Sequence, residues 1–145
     1  MKADGKTEAD IKQVIAAISE HYAKRNLKEL MACFGTDPDV TVFGTGADEK
    51  PVGPAAIEAQ VKRDWAQTDA IAIKLFNPAV SAAGDIAWVS SDGAFEITAG
   101  GQDMTLPARV TYVLQREDGA WRAVQAHYSL PAAGQEEGSS VPPAG

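Results

Sequence analysis

The stretch RVTYVLQREDGAWRAVQAHYSLP, residues 109–131, decides the fold of this chain. Two runs of alternating apolar and polar residues flank the dipeptide Asp118-Gly119. Asp-Gly is among the commonest two-residue turns, because its residues tolerate the positive φ angles that the turn requires. The stretch therefore predicts a β-hairpin in which Trp121 pairs with Arg116.

The register of this hairpin divides its side chains between two faces of a sheet. A regular ladder places one set on the first face: Val110, Tyr112, Leu114, Trp121, Gln125 and His127. It places the other set on the second face: Arg109, Thr111, Val113, Val124, Ala126 and Tyr128. The two valines of the second set favour that face as the one against the helices, which would bring Arg109 and Tyr128 to a cleft. A β-bulge would mix the two faces.

Two further strands are predicted before the hairpin. AIAIKLFNPAVSA (70–82) has the alternation of a strand, with a bulge or bend at Asn77-Pro78. IAWVSSDGAFEIT (86–98) is a second long strand, and MTLPARVTYVLQRE (104–117) extends the first arm of the hairpin. Short turns separate these runs, so we expect a four-stranded antiparallel meander.

The first half of the chain has helical periodicity instead. Ile11, Val14, Ile15, Ile18 and Tyr22 recur at the spacing of one helix face. A short helix is predicted over 27–34, a short strand over 40–44 and a third helix over 54–65. Helices gathered on one face of a curved antiparallel sheet make an α+β fold, with a cleft between the helices and the sheet.

Composition excludes several classes of function. The chain has 145 residues, of which 45% are hydrophobic, and its net charge is -7. Binding to nucleic acids or anionic membranes needs a basic surface, which this composition does not supply. No apolar run approaches the ~20 residues of a membrane span, and the start MKADGKTEAD lacks the apolar segment of a secretory signal. We expect a cytoplasmic protein without nucleic-acid or membrane partners.

The chain is expected to form one domain over residues 7–131. Residues 1–6 are predicted to be a disordered N-terminus. Residues 132–145, AAGQEEGSSVPPAG after Pro131, contain small, polar and proline residues without apolar periodicity. They are predicted to be a disordered tail.

The hairpin sequence resembles the ending of SnoaL-like proteins and of the association domain of calcium/calmodulin-dependent protein kinase II. That ending has a Thr-bearing strand, a D-G turn, a Trp, an aliphatic residue three positions on, and H-x-H-x-S. VFGTGADEKPVGPAAIEAQVKRDW (42–65) is similar to the family's strand, helix start and Trp-bearing third helix. The resemblance, to the nuclear transport factor 2-like superfamily, implies a cone-shaped, cystatin-like roll.

The resemblance also shows which family residues this chain lacks. The association-domain pattern has a histidine at the position of Gln125, so His127 has no partner imidazole, and we expect no metal and no cofactor. Aligning the first helices with ketosteroid isomerase places that enzyme's catalytic tyrosine at Ile18 and its general base near Gly44. Neither residue can move a proton, so isomerase chemistry by that route is not expected.

Three residues are candidates for chemistry. Arg109 could clamp a carboxylate ligand, or could pair with Asp92 or Glu96 on the neighbouring strand. His127 could be a packed histidine at the sheet or a dimer face, a pocket residue or an acid–base group. Asp92 is the candidate base within a strand, or else an exposed charge.

The aromatic residues could line the cleft or simply pack in the core. These ligand-binding candidates are Tyr22, Phe43, Trp65, Trp88 and Tyr128.

The sequence favours a small-molecule-binding pocket protein whose ligand is an apolar or carboxylate-bearing metabolite. It leaves open whether the protein is an enzyme. The alternative is an association module that oligomerises without catalysis. In either case we expect a homodimer through a sheet face bearing Val110, Tyr112, Leu114 and Trp121.

Overall fold

The computed structural model describes residues 1–145, and its three helices pack against one face of a single five-stranded sheet. The elements in chain order are α1 (Gly5–Lys24), α2 (Leu27–Ala32), β1 (Thr41–Phe43), α3 (Pro54–Ala66), β2 (Ala70–Ala83), β3 (Ile86–Ala99), β4 (Gln102–Glu117) and β5 (Ala120–Ser129). The predicted α+β class and the four-stranded meander are confirmed.

The sheet is mixed rather than wholly antiparallel. Its strand order is β1-β5-β4-β3-β2, and β1 pairs in parallel with β5, with Thr41 opposite Gln125. Parallel neighbours need a long connection, and α3 together with the meander supplies it. The expectation of an antiparallel sheet is therefore corrected at this one edge.

The hairpin between β4 and β5 begins as the sequence predicts and then shifts register. Asp118 and Gly119 have φ angles of 51° and 78°, and Trp121 pairs with Arg116. Beyond the pair of Leu114 with Ala123, Val113 pairs with Gln125. Val124 is therefore the extra residue of a β-bulge. The predicted irregularity at Asn77-Pro78 is also present, as a register shift between Phe76 and Ala79.

The structure reverses the prediction of which sheet face meets the helices. Val110, Tyr112, Leu114 and Trp121 are buried against the helices, so the prediction that they form an exposed dimer face is wrong. After the bulge, Tyr128 joins this inner face and lines the cavity described below.

The other side of the sheet is its outer face. Arg109 and His127 are exposed there, which corrects the prediction that Arg109 lies at the cleft. Arg109 alternates with the buried residues of β4, and His127 moves outward because Val124 adds one residue to β5.

The core forms between the inner face and the apolar stripes of the helices. Ile11, Ile15 and Ile18 of α1 are at most 2% exposed, and Ile57 and Val61 of α3 are also buried. Burying a side chain of this size contributes about 1.5–3 kcal/mol, so these stripes fix each helix on the sheet. None of the helices is both long and apolar enough to cross a membrane.

The first residues, predicted to be disordered over 1–6, contact the sheet. The carbonyl of Met1 accepts a hydrogen bond from the amide of Ala82 at 3.1 Å. The side chain of Asp4 accepts from the amide of Thr7 at 2.8 Å and caps α1. Neither hydrogen bond produces apolar periodicity, so the sequence pattern gives no sign of either one. Residues 132–145 contain no helix or strand, and their disorder stays a prediction.

Candidate functional site

A cavity of about 140 Å³ lies between the helices and the inner face of the sheet. Of its 20 lining residues, 14 are hydrophobic, so its walls favour an apolar molecule. An engineered cavity of about 150 Å³ in another protein is large enough to hold benzene. The enclosed part of this cavity therefore suits a group of about one aromatic ring.

Local periodicity places the apolar walls. Alternation along the strands directs Ile71 and Ile73 of β2 inward, and Phe95 of β3 likewise. On α1, Ile18 and Tyr22 lie one turn apart on the same face and both reach the cavity. The walls of the cavity are therefore formed mostly by residues that also belong to the hydrophobic core or pack against it.

A carboxyl group interrupts this apolar lining. The hydroxyl of Tyr22 donates to Asp64 Oδ2 at 2.8 Å, and Gln60 Nε2 donates to Asp64 Oδ1 at 2.8 Å. Burial raises the pKa of Asp64, and these two donated hydrogen bonds only partly offset that effect. Burial, followed by the charge of Asp64, also raises the pKa of Tyr22 well above its ordinary range.

A second carboxylate, that of Glu49, lies at the cavity wall between β1 and α3. It accepts hydrogen bonds from the amide of Gly46 and, at 3.1 Å, from Gln60 Nε2. Arg63 lies 3.5 Å from it. A Cβ at Gly44 would come within 2.9 Å of Glu49, so the absence of a side chain at Gly44 lets the carboxylate pack against the backbone.

The third polar feature is a pair of tyrosine hydroxyls. Tyr128 lines the cavity, and its hydroxyl lies 2.7 Å from that of Tyr112, which is 1% exposed. No other group bonds the Tyr112 hydroxyl, so its hydrogen must be donated to Tyr128 to avoid a buried, unsatisfied donor. The hydrogen of Tyr128 is then free to point to the cavity. Burial raises the pKa of Tyr128 to about 12, so the group remains a donor at neutral pH.

Of the aromatic candidates, Tyr22 and Tyr128 line the cavity and three others do not. Trp65 packs behind Tyr22, with ring centroids 6.1 Å apart, and its Nε1 donates to the Tyr22 carbonyl at 3.1 Å. Trp88 and Phe43 lie on the outer face of the sheet, where the alternation of their strands directs them.

The three candidates for chemistry also lie on the outer face. His127 is exposed and contacts the ring of Phe43, with centroids 5.3 Å apart. Asp92 is exposed and lies opposite Arg109 in the register, yet Arg109 forms no ion pair within 4.0 Å.

Arg109 instead donates to Ser129 Oγ and to the carbonyl of Leu130, each at 3.3 Å. The structure therefore separates His127, Asp92 and Arg109 from the cavity. A clamp on a ligand within the cavity, or acid–base chemistry there, is not open to them.

Asp64, Gln60 and Glu49 were not predicted from the sequence. A signal was present for two of them, because Gln60 and Asp64 are four residues apart on the same helix face as Ile57 and Val61. A carboxylate on the buried face of an amphipathic helix marks a position where burial would shift a pKa. Glu49 lies in a loop between elements, where no periodicity could have revealed it.

No three His, Cys, Asp or Glu side chains come together as metal ligands would. The expectations of no metal and no cofactor remain predictions.

Comparison with known proteins identifies the family of this arrangement. Residues 11–133 match the family model described as SnoaL-like domain. Among proteins of curated function, none matches the chain in sequence.

Several solved structures share the fold. A candidate dehydratase of the NTF2-like family from Streptomyces avermitilis has a TM-score of 0.80 at 18% identity, over 86% of this chain and 97% of that one. An NTF2-like protein with a cystatin-like fold from Novosphingobium aromaticivorans has a TM-score of 0.74 at 20% identity, over 92% and 84%. A candidate calcium/calmodulin-dependent protein kinase II association domain from Xanthomonas campestris has a TM-score of 0.74 at 18% identity, over 85% and 86%. Identities this low establish the cystatin-like fold alone.

Proposed function

Because the chain belongs to the SnoaL-like domain family, we propose that its cavity binds a small apolar molecule and that Asp64 accepts a proton from it. The observation that carries this proposal is the position of a partly buried carboxyl group in a cavity whose lining is mostly apolar. A raised pKa brings a carboxylate closer to the range in which it acts as a general base. His127 and Asp92 lie on the other side of the sheet, so the proposed role falls to Asp64.

The hydrogen bonds around Asp64 suit a base. Tyr22 and Gln60 each occupy one lone pair, and an ionised carboxylate offers about four such positions. Lone pairs therefore remain for a ligand, while the two donors fix the orientation of the group.

The step that this geometry supports is proton transfer from a carbon next to a carbonyl. Asp64 would take the proton, and the electron pair of the broken C–H bond would move into an enolate. The enolate oxygen would accept a hydrogen bond from Tyr128, the one lining tyrosine whose hydrogen is free. Loss of water from a β-hydroxy ketone can begin with the same step, and one structural relative is a candidate dehydratase.

Deuterium exchange into 2-indanone, a neutral carbon acid with one aromatic ring, tests this function. In D₂O, followed by proton NMR, the protein should accelerate exchange at the carbons beside the carbonyl. Asp64→Asn should lose most of that acceleration, because an amide does not accept the proton. Asp92→Asn, which removes a carboxylate from the outer face, should retain it. Equal exchange with the wild-type protein and Asp64→Asn would contradict the proposal.

We also propose that two copies associate through the outer face of the sheet. Trp88 and Val113 are neighbours in register there and are only partly exposed, and the rings of Phe43 and His127 contact each other nearby. An apolar, aromatic strip on an open sheet favours pairing with a second copy. The similarity of the chain's fold to that of a candidate association domain supports assembly as a second role.

A further inference from the structure

The cavity that we propose as a ligand site is unbalanced in charge. Asp64 and Glu49 are both among its lining residues, and no lysine or arginine lines it. Arg63, a cation beside the cavity, lies 2.8 Å from Asp48 and 3.5 Å from Glu49. One arginine therefore faces two carboxylates at the rim, and Asp64 has no cationic partner within 4.0 Å.

The two carboxylates lie on either side of one amide nitrogen. Gln60 Nε2 donates to Asp64 Oδ1 at 2.8 Å and to Glu49 Oε1 at 3.1 Å, which uses both of its hydrogens. A charged group of a ligand that lies near one carboxylate is therefore also close enough to be attracted or repelled by the other carboxylate. Glu49 contributes to raising the pKa of Asp64, although burial is the larger cause.

The cavity offers few hydrogens to an anion. The hydrogen of the Tyr22 hydroxyl is donated to Asp64, and both hydrogens of the Gln60 amide are engaged. The hydroxyl of Tyr128 is the remaining side-chain donor among these groups. A carboxylate that left water for this cavity would exchange several hydrogen bonds for one, which is strongly unfavourable.

From these observations we infer that the cavity selects ligands by charge, admitting neutral molecules and protonated amines and excluding carboxylates. This inference rests on the proposed ligand-binding role of the same cavity. It replaces the expectation of a carboxylate-bearing ligand, because Arg109, the residue on which that expectation depended, lies on the outer face.

Three ligands with the same ring and different charges test the inference. Benzyl alcohol, benzylamine and benzoate are titrated into the protein at pH 7, and affinity is measured by isothermal calorimetry or by ligand-observed NMR. Benzyl alcohol and benzylamine should bind, and benzoate should bind at least about tenfold more weakly than the alcohol, given the strength of like-charge repulsion at this range.

Two variants remove the proposed cause one carboxylate at a time. Asp64→Asn and Glu49→Gln should each reduce severalfold the ratio by which benzyl alcohol binds more tightly than benzoate. This affinity ratio is the gap between the two ligands. Having two such variants keeps the test decisive if one of them fails to fold. Asp92→Asn is the matched control, because it removes the same charge from the outer face and should leave the gap unchanged.

The outcomes separate this inference from the function on which it rests. Binding of benzyl alcohol together with equal or tighter binding of benzoate would overturn charge selection and leave the ligand site intact. A gap that narrows equally in Asp92→Asn would also overturn it, since net charge would then be the cause. Binding of none of the three would contradict the ligand site itself.

Discussion

Two opposing effects set the pKa of Asp64: burial raises it, and hydrogen bonds donated to the carboxylate lower it. Because the pKa in the folded protein differs from its ordinary value, the titration of Asp64 influences the stability of the protein. Burial raises its pKa above the ordinary value of 3.8, although Tyr22 and Gln60 both donate hydrogen bonds to it. A carboxyl group with a higher pKa in the folded state than in the unfolded chain binds more protons when folded. Its contribution to stability is fully present below the unfolded pKa and is lost as the pH rises through the folded pKa.

The first prediction follows from this sign. The unfolding free energy of the wild-type protein, measured relative to that of Asp64→Asn, should fall as the pH rises from the ordinary pKa of 3.8 through the raised pKa of Asp64. The reason is that the residue at position 64 ionises only in the wild-type protein and ionises less readily in its folded state. Urea denaturation at several pH values measures both proteins. A difference that stays constant or increases with pH would show that the pKa of Asp64 is not raised.

The second prediction concerns the buried tyrosine pair. Tyr128→Phe should destabilise the protein by about 1–3 kcal/mol, because it leaves the Tyr112 hydroxyl buried without a partner. Tyr112→Phe should lower the unfolding free energy by a smaller amount, since the Tyr128 hydroxyl can still form hydrogen bonds with molecules in the cavity.

Denaturant melts of the two single variants and the double variant measure this coupling. The loss in the double variant should be smaller than the sum of the single losses by at least about 0.5 kcal/mol. Strictly additive losses would contradict the hydrogen bond between the two tyrosines, and a larger loss for Tyr112→Phe than for Tyr128→Phe would contradict its proposed direction.

Among the elements, the β4–β5 hairpin shows how far sequence reasoning reaches. The Asp118-Gly119 turn and the first pairs of the ladder follow from local chemistry and were predicted. The bulge at Val124 was not assigned, because valine fits a regular strand and a bulged one equally well. That single inserted residue decides that Tyr128 faces the cavity and His127 faces outward. The position of the site therefore depended on packing across the whole sheet.

The third prediction concerns Arg109 on β4. Its guanidinium is exposed and donates two hydrogen bonds of 3.3 Å without an ionic partner. Arg109→Leu should change the unfolding free energy by less than about 1 kcal/mol, and should leave the affinity for benzyl alcohol unchanged. A loss of about 3–5 kcal/mol would instead indicate a buried ion pair with Asp92 or Glu96.

For the molecule as a whole, the order of the elements predicted the α+β fold, and the periodicity of α1 and α3 predicted most of the core. The cavity itself was predicted only as a cleft between the helices and the sheet. Its polar groups come from α1, α3, β5 and the loop after β1, which are distant in sequence. Tyr22 and Glu49 meet Asp64 and Gln60 of α3 only when α3 is docked in this position, which local periodicity does not encode.

The fourth prediction concerns assembly through the outer face. The protein should sediment as a dimer, and Val113→Lys should shift it toward a monomer, because a lysine beside Trp88 would put a charge into the contact. Gln102→Lys, at the exposed first residue of β4, should remain a dimer. A wild-type monomer under the same conditions would contradict pairing through this face.

The most direct test of the account is to map where a neutral ligand binds. Amide chemical shifts are recorded while benzyl alcohol is titrated into ¹⁵N-labelled protein. The account predicts that the largest changes occur at residues lining the cavity, such as Ile18, Val61, Phe95 and Tyr128. Changes confined to the outer face around Trp88 and Val113, or no changes at all, would contradict a ligand site between the helices and the sheet.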